Sequence, residues 1–212
     1  SGSVREAWLA AAAAAALLTT TAPAARADEP DAAARTHAQR VAVTVCGTCH
    51  GPQGNSTNPK YPRLAGQKAN YLAAQLKAFR AQTRGDPDAI GYMWGMASQL
   101  DDDTIQALAA YYAAQKAEPS ASSASATVSR GRQIYQQGVA AQGVPACASC
   151  HGPDAHGLQE FPRLAGQHAQ YVLKQLASFQ SNMRKVAIMH GVAQNLNLDD
   201  MDAVAAFLET QR

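Results

Sequence analysis

The pentapeptide Cys46-Gly-Thr-Cys49-His50 has a counterpart in the second half of the chain, Cys147-Ala-Ser-Cys150-His151. Together the two pentapeptides contain all four cysteines of the 212-residue sequence, and a glycine follows each of them. Two thiols three positions apart lie on the same side of one helical turn, with the histidine directly after the second thiol. The sequence therefore predicts that one kind of site is built twice.

Cys-x-x-Cys-His is the attachment signature of c-type haem. Both thiols bond to the vinyl groups of one porphyrin, and the histidine ligates the iron. A Cys₄ zinc site favours cysteine pairs about 15–20 residues apart, and a redox-active dithiol favours a βαβ context. The sequence has neither feature. It therefore predicts two covalently bound haem c groups, with the following residues attaching them and ligating the iron: Cys46, Cys49 and His50; Cys147, Cys150 and His151.

Two further segments repeat in the same order. Tyr61-Pro-Arg-Leu-Ala-Gly-Gln67 matches Phe161-Pro-Arg-Leu-Ala-Gly-Gln167, and residues 100–112 match residues 196–208. In the last pair, acidic residues open an alanine-rich amphipathic stretch, as is typical of a helix N-terminus. Alternating β-branched residues occur only at 41–45, which we assign to the helix that leads into the first pentapeptide. We predict an all-α fold of two tandem domains.

The segment between the copies, residues 119–127, consists mostly of serine and alanine without periodicity, which is typical of a linker. It divides the chain into predicted domains at 28–118 and 128–212. Each is shorter than a hundred residues and can bury only a small core. A haem enclosed in each domain would supply the missing apolar volume.

The first 27 residues resemble an export signal. Arg5 is followed by an apolar stretch, and Ala25-Arg26-Ala27 fits an Ala-x-Ala cleavage site. Because the stretch is shorter than the roughly 20 residues that span a bilayer, we predict a signal peptide over residues 1–27, either cleaved or retained as an N-terminal segment, and a periplasmic protein. The formal net charge is +2 and there is no basic stripe, which argues against nucleic acid as a partner.

The repeat also selects the sixth iron ligand. Aligning residues 93–100 with residues 189–196 pairs Met93 with Met189, but pairs Met96 with Val192. Because only one methionine position is occupied in both halves, we predict Met93 and Met189 as axial ligands and Met96 as a core residue. A neutral thioether raises the reduction potential and fills the last coordination position. The sequence thus predicts an electron carrier with no catalytic residues, and not an enzyme.

With three motifs in fixed order in each half, the chain after residue 30 resembles the cytochrome c4 family, periplasmic diheme proteins built from two cytochrome c class I domains. The resemblance implies that Pro62 and Pro162 turn their carbonyl oxygens toward the ligand histidines, which orients the imidazole rings. It also implies that Gly66 and Gly166 let the backbone pass close to the porphyrin. The further haem contacts that it implies are Leu64 and Leu164 on the haem faces, and Arg63, Gln67, Arg163 and Gln167 at the propionates.

The halves differ in one respect. Gly131 and Tyr135 have the spacing with which the first and last helices of a class I domain cross, whereas no glycine precedes Cys46 in the first half of the predicted mature chain. Only the second half therefore carries this signal for the helix crossing.

By resemblance, the electron donor is the cytochrome bc complex and the acceptor is a terminal oxidase of the cbb type, and some members associate loosely with the membrane. A second hypothesis is a diheme subunit of a periplasmic oxidoreductase, such as a flavocytochrome sulfide dehydrogenase or an enzyme that oxidises thiosulfate or alcohols. Such subunits use the same domains. A third, a diheme peroxidase, requires an open sixth position at one haem, and both halves carry a methionine in register.

Overall fold

The computed structural model describes residues 31–119 and 124–212, where the regular structure is helical apart from one isolated β-bridge between Val139 and Val144. The α-helices of the first half are α1 (Ala32–Val41), α2 (Gly47–His50), α3 (Ala69–Arg80), α4 (Trp94–Ala97) and α5 (Asp102–Ala113). Those of the second half are α6 (Ala126–Gln137), α7 (Ala148–His151), α8 (Ala169–Gln180), α9 (Ala187–Ala193) and α10 (Leu198–Glu209). The predicted signal peptide, residues 1–27, lies outside the described residues.

The two halves share one helix arrangement. In the first half α1 and α3 pack against α5, and in the second half α6 and α8 pack against α10. The first core is centred on Ile105 and Leu108, and the second on Tyr135, Met201 and Leu208, all of them essentially inaccessible to solvent. The predicted all-α fold of two similar domains is confirmed.

The first half contains two short π-helical stretches, each adjoining an α-helix. Ala42–Cys46 continues α1 into α2, so residues 41–45 are helical as the sequence predicts, and Ala89–Met93 leads into α4. π-Helical turns inside helices are rare and concentrate at functional sites. Each stretch here ends at a residue predicted to bind haem, Cys46 in one case and Met93 in the other.

Helices α6 and α10 cross at Gly131. A Cβ atom at this position would lie 1.9 Å from the carbonyl oxygen of Ala203, so only glycine allows the two backbones to approach this closely. In the first half, α1 meets α5 through Ala38, which is fully buried beside Ile105 and Leu108. The first crossing therefore accommodates the methyl group of an alanine, whereas the second has no room for a Cβ atom.

The last helix of each half begins at its acidic cluster. Asp101 caps α5 by accepting a hydrogen bond from the amide of Thr104 (2.7 Å), and Asn197 caps α10 by accepting one from the amide of Asp200 (2.8 Å). Acidic residues in both first turns face the positive end of the helix dipole.

Helix α6 begins at Ala126, and the Ser125 hydroxyl caps it by accepting from the amide of Val128 (3.1 Å). The last residues of the predicted linker, 119–127, are thus helical, while the domain boundaries themselves stay a prediction. No helix within residues 31–119 and 124–212 is long and apolar enough to cross a membrane.

Candidate haem sites

The two pentapeptide histidines have the same environment. Nδ1–H of His50 donates to the carbonyl oxygen of Pro62 (2.9 Å), and Nδ1–H of His151 donates to that of Pro162 (3.0 Å). A carbonyl oxygen can only accept, so Nδ1 carries the ring proton in both residues. Nε2 therefore keeps its lone pair and is the nitrogen available to an iron atom.

Both imidazoles are held in the neutral form. Burial lowers the pKa of His50 and of His151, and the hydrogen bond to the proline carbonyl offsets part of that effect. An aromatic ring also packs edge-on against each imidazole, Tyr61 against His50 and Phe161 against His151. The orientation of each ring is thus fixed by a hydrogen bond and by packing, and neutral imidazole is the form that ligates a metal.

The four cysteines occupy equivalent places, and no disulfide joins any two of them. Cys46 ends a π-helical stretch and Cys49 lies on α2, while Cys147 directly precedes α7 and Cys150 lies on it. Burial raises the pKa of Cys46, and it raises the pKa of Cys147 to about 11. A redox-active dithiol requires a cysteine of lowered pKa, so these surroundings favour attachment of a group over dithiol chemistry.

No group of three or more His, Cys, Asp or Glu side chains in the described parts of the chain is placed to hold a metal ion directly. The two cysteine pairs thus do not assemble a Cys₄ zinc site there.

Met93 and Met189 are both partly buried at the cores of their own halves. Met93 packs against the cluster of Phe79, Ala89 and Ala97, and Met189 packs against the core of the second half. Both methionines line the same cavity as His50 and His151. The structure therefore brings the four predicted axial ligands to one cavity, and their ligation of iron stays a prediction.

The remaining methionines of the described residues differ in burial. Met201 is fully buried in the second core, whereas Met183 is half exposed. The prediction that Met96 is a core residue is wrong, because it lines the cavity with 59% of its surface exposed. The alignment of Met96 with Val192 in the repeat indicated an apolar environment, but it did not show how deeply the side chain is buried.

One continuous cavity of about 880 Å³ extends through both halves. Its lining includes all four cysteines, and its apolar walls include Leu64, Leu164, Phe79 and Phe179. Pockets for small molecules usually measure about 300–1,000 Å³. In each half, two thiols, a histidine with a free Nε2, a methionine and apolar walls fit the donor set and shape that a covalently attached haem requires.

Gly66 and Gly166 connect the repeated segment of each half to its last helix, while the approach of their backbone to a porphyrin stays a prediction. Both have a left-handed backbone (φ +67° and +70°), and their amides donate to the carbonyls of Tyr112 (3.0 Å) and Leu208 (2.9 Å). The nearest atoms to a Cβ at Gly66 would belong to the segment after α5, at Gln115 and beyond. The glycines therefore allow each haem-motif loop to hydrogen-bond to the last helix of its half.

Gln67 and Gln167 bridge the two halves. Gln67 donates to the carbonyl of Arg163 and accepts from its amide, and Gln167 makes the same two bonds to Arg63, all four at 2.9 Å. The Arg63 guanidinium also donates across the interface, to the carbonyl of Gly166 (3.2 Å). Contact between these four residues and haem propionates stays a prediction, and the glutamine amides hold the halves together.

Sequence analysis missed a buried polar cluster between the halves. Its members come in pairs from equivalent positions of the two copies: Tyr71 and Tyr171, Gln75 and Gln175, Arg84 and Arg184. All six side chains line the cavity. The recurrence of all three pairs at one spacing was the signal that could have revealed them.

Residues 36–115 and residues 128–212 each match the family model of cytochrome c. The helical fold, the repeated haem-attachment pentapeptides and these two matches define a protein of two tandem cytochrome c domains.

The chain is 39% identical to the cytochrome c4 of Stutzerimonas stutzeri over 183 residues, which cover 79% of this chain and 84% of that protein. It is 37% identical to the thiosulfate dehydrogenase electron acceptor of Thiomonas intermedia over 174 residues, 78% of each. The solved structure of Acidithiobacillus ferrooxidans cytochrome c4 superposes with a TM-score of 0.74 at 42% identity, covering 78% of this chain and 98% of that one. The chain belongs to the cytochrome c4 family.

The protein is accordingly a diheme electron-transfer protein that carries two covalently bound haem c groups. The family, the cofactor and the electron-transfer function predicted from the sequence are confirmed.

Proposed function

We propose that His50 and Met93 ligate one haem iron, that His151 and Met189 ligate the other, and that the protein is a periplasmic electron carrier without enzymatic activity. The observation that carries the proposal is the meeting of these four side chains at one cavity, with both histidine Nε2 atoms free. An iron with both axial positions filled by protein has no open position for peroxide or oxygen.

Attachment of each haem follows from the cysteine positions. Each S–H would add across one vinyl C=C bond of the porphyrin, so that sulfur bonds to one carbon and hydrogen to the other. Cys46 with Cys49, and Cys147 with Cys150, lie close enough along the helix to hold one porphyrin each. With one haem in each half, the domains are residues 28–118 and 128–212.

Haem iron supplies a one-electron couple, and the chain's own residues set how easily it is reduced. The Pro62 carbonyl fixes the proton of His50 on Nδ1 and makes Nε2 a stronger donor. The soft, neutral thioether of Met93 favours the reduced iron, as do the apolar walls, where Leu64 keeps water away. Pro162, Met189 and Leu164 do the same in the second half.

The redox partners in this proposal are proteins. The family resemblance suggests that the cytochrome bc complex donates electrons and that a terminal oxidase of the cbb type accepts them. A second candidate function is electron acceptor for a thiosulfate-oxidising enzyme, which the 37% identity to the Thiomonas intermedia protein favours.

Stopped-flow measurements separate the two functions. The pure oxidised protein is mixed in one experiment with quinol-reduced bc complex, and in another with thiosulfate and thiosulfate dehydrogenase. Rapid reduction by the bc complex and slow reduction by the enzyme would support the respiratory role, whereas the reverse order would support the second function. Turnover of thiosulfate, sulfide or peroxide by the protein alone would contradict the absence of enzymatic activity.

A further inference from the structure

Two side-chain hydrogen bonds attach the segment of the proposed ligand Met93 to the region where α3 ends. Trp94 directly follows Met93, and its indole Nε1–H donates to the carbonyl oxygen of Arg84 in the loop after α3 (2.8 Å). Arg80, the last residue of α3, donates from its guanidinium to the carbonyl oxygen of Leu100, which lies between α4 and α5 (2.7 Å). The short helix α4 is thus held at its first residue and again shortly after its last.

The second half has the same two attachments. His190 directly follows Met189 on α9, and its Nδ1–H donates to the carbonyl oxygen of Phe179 in the last turn of α8 (2.8 Å). A carbonyl oxygen can only accept, so Nδ1 carries a proton. Gln180, the last residue of α8, donates from its side-chain amide to the carbonyl oxygen of Leu196 (2.8 Å). An imidazole and an amide thus hold α9 to the end of α8.

The donor groups recur between the two copies although the residue types differ. The alignment of the two proposed methionine ligands pairs Trp94 with His190, while Arg80 and Gln180 each end the equivalent helix. An indole and an imidazole differ in size and polarity, and so do a guanidinium and an amide. What the members of each pair share is an N–H donor directed at the same part of the fold. The feature common to both halves is therefore the hydrogen bond.

The methionine segments, residues 89–100 and 187–196, leave one face without packing partners. A Cβ atom at Gly95 or at Gly191, the residues after the indole and the imidazole, would have no atom of the described residues within 4 Å outside its own helix. Ile90 leaves 52% of its surface exposed. Few apolar contacts therefore oppose an outward movement of these segments, so their directed hydrogen bonds contribute more to holding them in place.

We propose that Trp94 and His190 are positioning residues that keep the methionine thioether of their own half at the haem iron. The inference rests on the proposed ligation by Met93 and Met189. A ligand on a fixed segment has a high effective concentration at the metal, and a ligand on a loose segment is displaced more readily by a competitor. Because the soft thioether favours ferrous iron, the ferric state depends most on this positioning.

The test is cyanide binding to the ferric holoprotein, because cyanide binds only after the methionine has left the iron. His190→Leu removes the N–H donor, whereas His190→Asn keeps one, since the asparagine nitrogen occupies the place of Nδ1 in the side chain. The leucine variant should bind cyanide about two- to tenfold faster at the second-domain haem, as expected for the loss of one hydrogen bond. The asparagine variant should stay close to the rate of the unsubstituted protein. An unchanged rate in the leucine variant, or equal acceleration in both variants, would overturn the proposal.

Trp94→Phe tests the first half independently, because it keeps an aromatic ring and removes the indole N–H. Cyanide binding should accelerate at the first-domain haem and stay unchanged at the second. Paramagnetic proton NMR distinguishes the two haems in the same sample. Equal acceleration at both haems, or at neither, would overturn the proposal.

His156→Leu is the matched control. Nε2–H of His156 donates to the carbonyl oxygen of Arg212 (2.7 Å), so the substitution removes the same type of bond outside the methionine segments. Both cyanide rates should stay unchanged, and an acceleration as large as that of His190→Leu would overturn the proposal. The free energy of unfolding is measured for every variant. A lower value for His190→Leu with an unchanged cyanide rate would show a purely structural role and would also overturn it.

The proposed ligation is read in the same samples from the absorption band of ferric methionine-ligated haem. A full band in the unsubstituted protein, with cyanide rates that neither Trp94→Phe nor His190→Leu changes, would overturn the positioning role and leave the ligation standing. Absence of the band from the unsubstituted protein would contradict the ligation itself, and with it the inference that rests on it. The two failures are therefore distinguishable.

Discussion

The nitrogen and the oxygen of the Gln67 side-chain amide both bind the backbone of Arg163. Nε2 donates to the Arg163 carbonyl and Oε1 accepts from the Arg163 amide, each at 2.9 Å. Gln167 repeats the arrangement on Arg63 with the same distances. The repeated Pro-Arg-Leu-Ala-Gly-Gln segment thus has two roles. Its proline orients a histidine, and its glutamine joins the two domains.

Replacing Gln67 with leucine should weaken the interface between the domains. The variant loses both bonds to Arg163 and leaves an amide and a carbonyl at the interface without partners, at a cost of about 1–3 kcal/mol for each buried group. Chemical denaturation should show a lower free energy of unfolding. Gln133→Leu, on the exposed face of α6, is the matched control and should change it little. Equal effects of the two substitutions would contradict the role of Gln67.

Replacing either proposed methionine ligand should affect one haem only. In Met93→Ala, the absorption band of ferric methionine-ligated haem should fall to about half, because one of two thioether ligands is gone. The potential of that haem should fall as well, and Met189→Ala should do the same to the other haem. Met96→Ala serves as the control and should leave the band intact. A low-spin haem of unchanged potential in Met93→Ala or Met189→Ala would show that the ligand assignment is wrong at that position.

Enlarging Gly131 should destabilise the second domain. The first atom of any side chain at this position would overlap the carbonyl oxygen of Ala203, so α6 and α10 must separate. Overpacking of this kind usually costs about 1–3 kcal/mol, and a displaced helix pair costs more. We expect Gly131→Val to lower the thermal midpoint, while Ser129→Ala on the exposed side of α6 leaves it nearly unchanged. A Gly131→Val protein as stable as the control would contradict the observed crossing.

Asp86 should make stability depend on pH in acid. Burial alone would raise the pKa of its carboxyl, but the charge and hydrogen bonds of Arg84, with the bond from Gln175, lower it overall. A carboxyl whose pKa is lower in the folded state contributes stability that is complete above its unfolded pKa of about 3.9 and is lost as pH falls through the folded pKa.

Unfolding free energy measured from about pH 6 to about pH 2 should therefore fall more steeply for the unsubstituted protein than for Asp86→Asn. The two curves should approach each other at the acid end. Parallel curves over the whole range would mean that Asp86 titrates in the folded protein as it does in the unfolded chain.

The fold and the two haem groups were predictable because covalent attachment leaves fixed spacings in the sequence, while the axial ligands stay a prediction. Cys46, Cys49 and His50 must occupy one helical turn, and the repeat shows which methionine position both halves retain. Burial was harder to predict. Met96 pairs with a valine in the repeat and was expected in the core, but side-chain polarity alone does not determine depth.

The interface between the domains was not predicted. Gln75 lies on α3 and Arg84 lies in the loop after it, in stretches whose pattern suggests ordinary solvated positions, and their partners in the other half lie about a hundred residues away in the chain. Hydrogen bonds between domains follow no local periodicity, so a pattern of helical spacing cannot reveal them. Because the carboxylate of Asp86 has no counterpart in the other copy, a comparison of the two repeats cannot identify it.

The central claim, two closed histidine–methionine haems in one carrier, is tested most directly by an optical redox titration of the pure protein. The account predicts two haems per chain and a ferric methionine–haem band with the intensity of two ligated irons. It also predicts that the band disappears in two steps as the haems are reduced, each step centred at a high reduction potential. Band intensity for one haem, or a low-potential component that rapidly binds cyanide or peroxide, would contradict the account and indicate a reactive site in one domain.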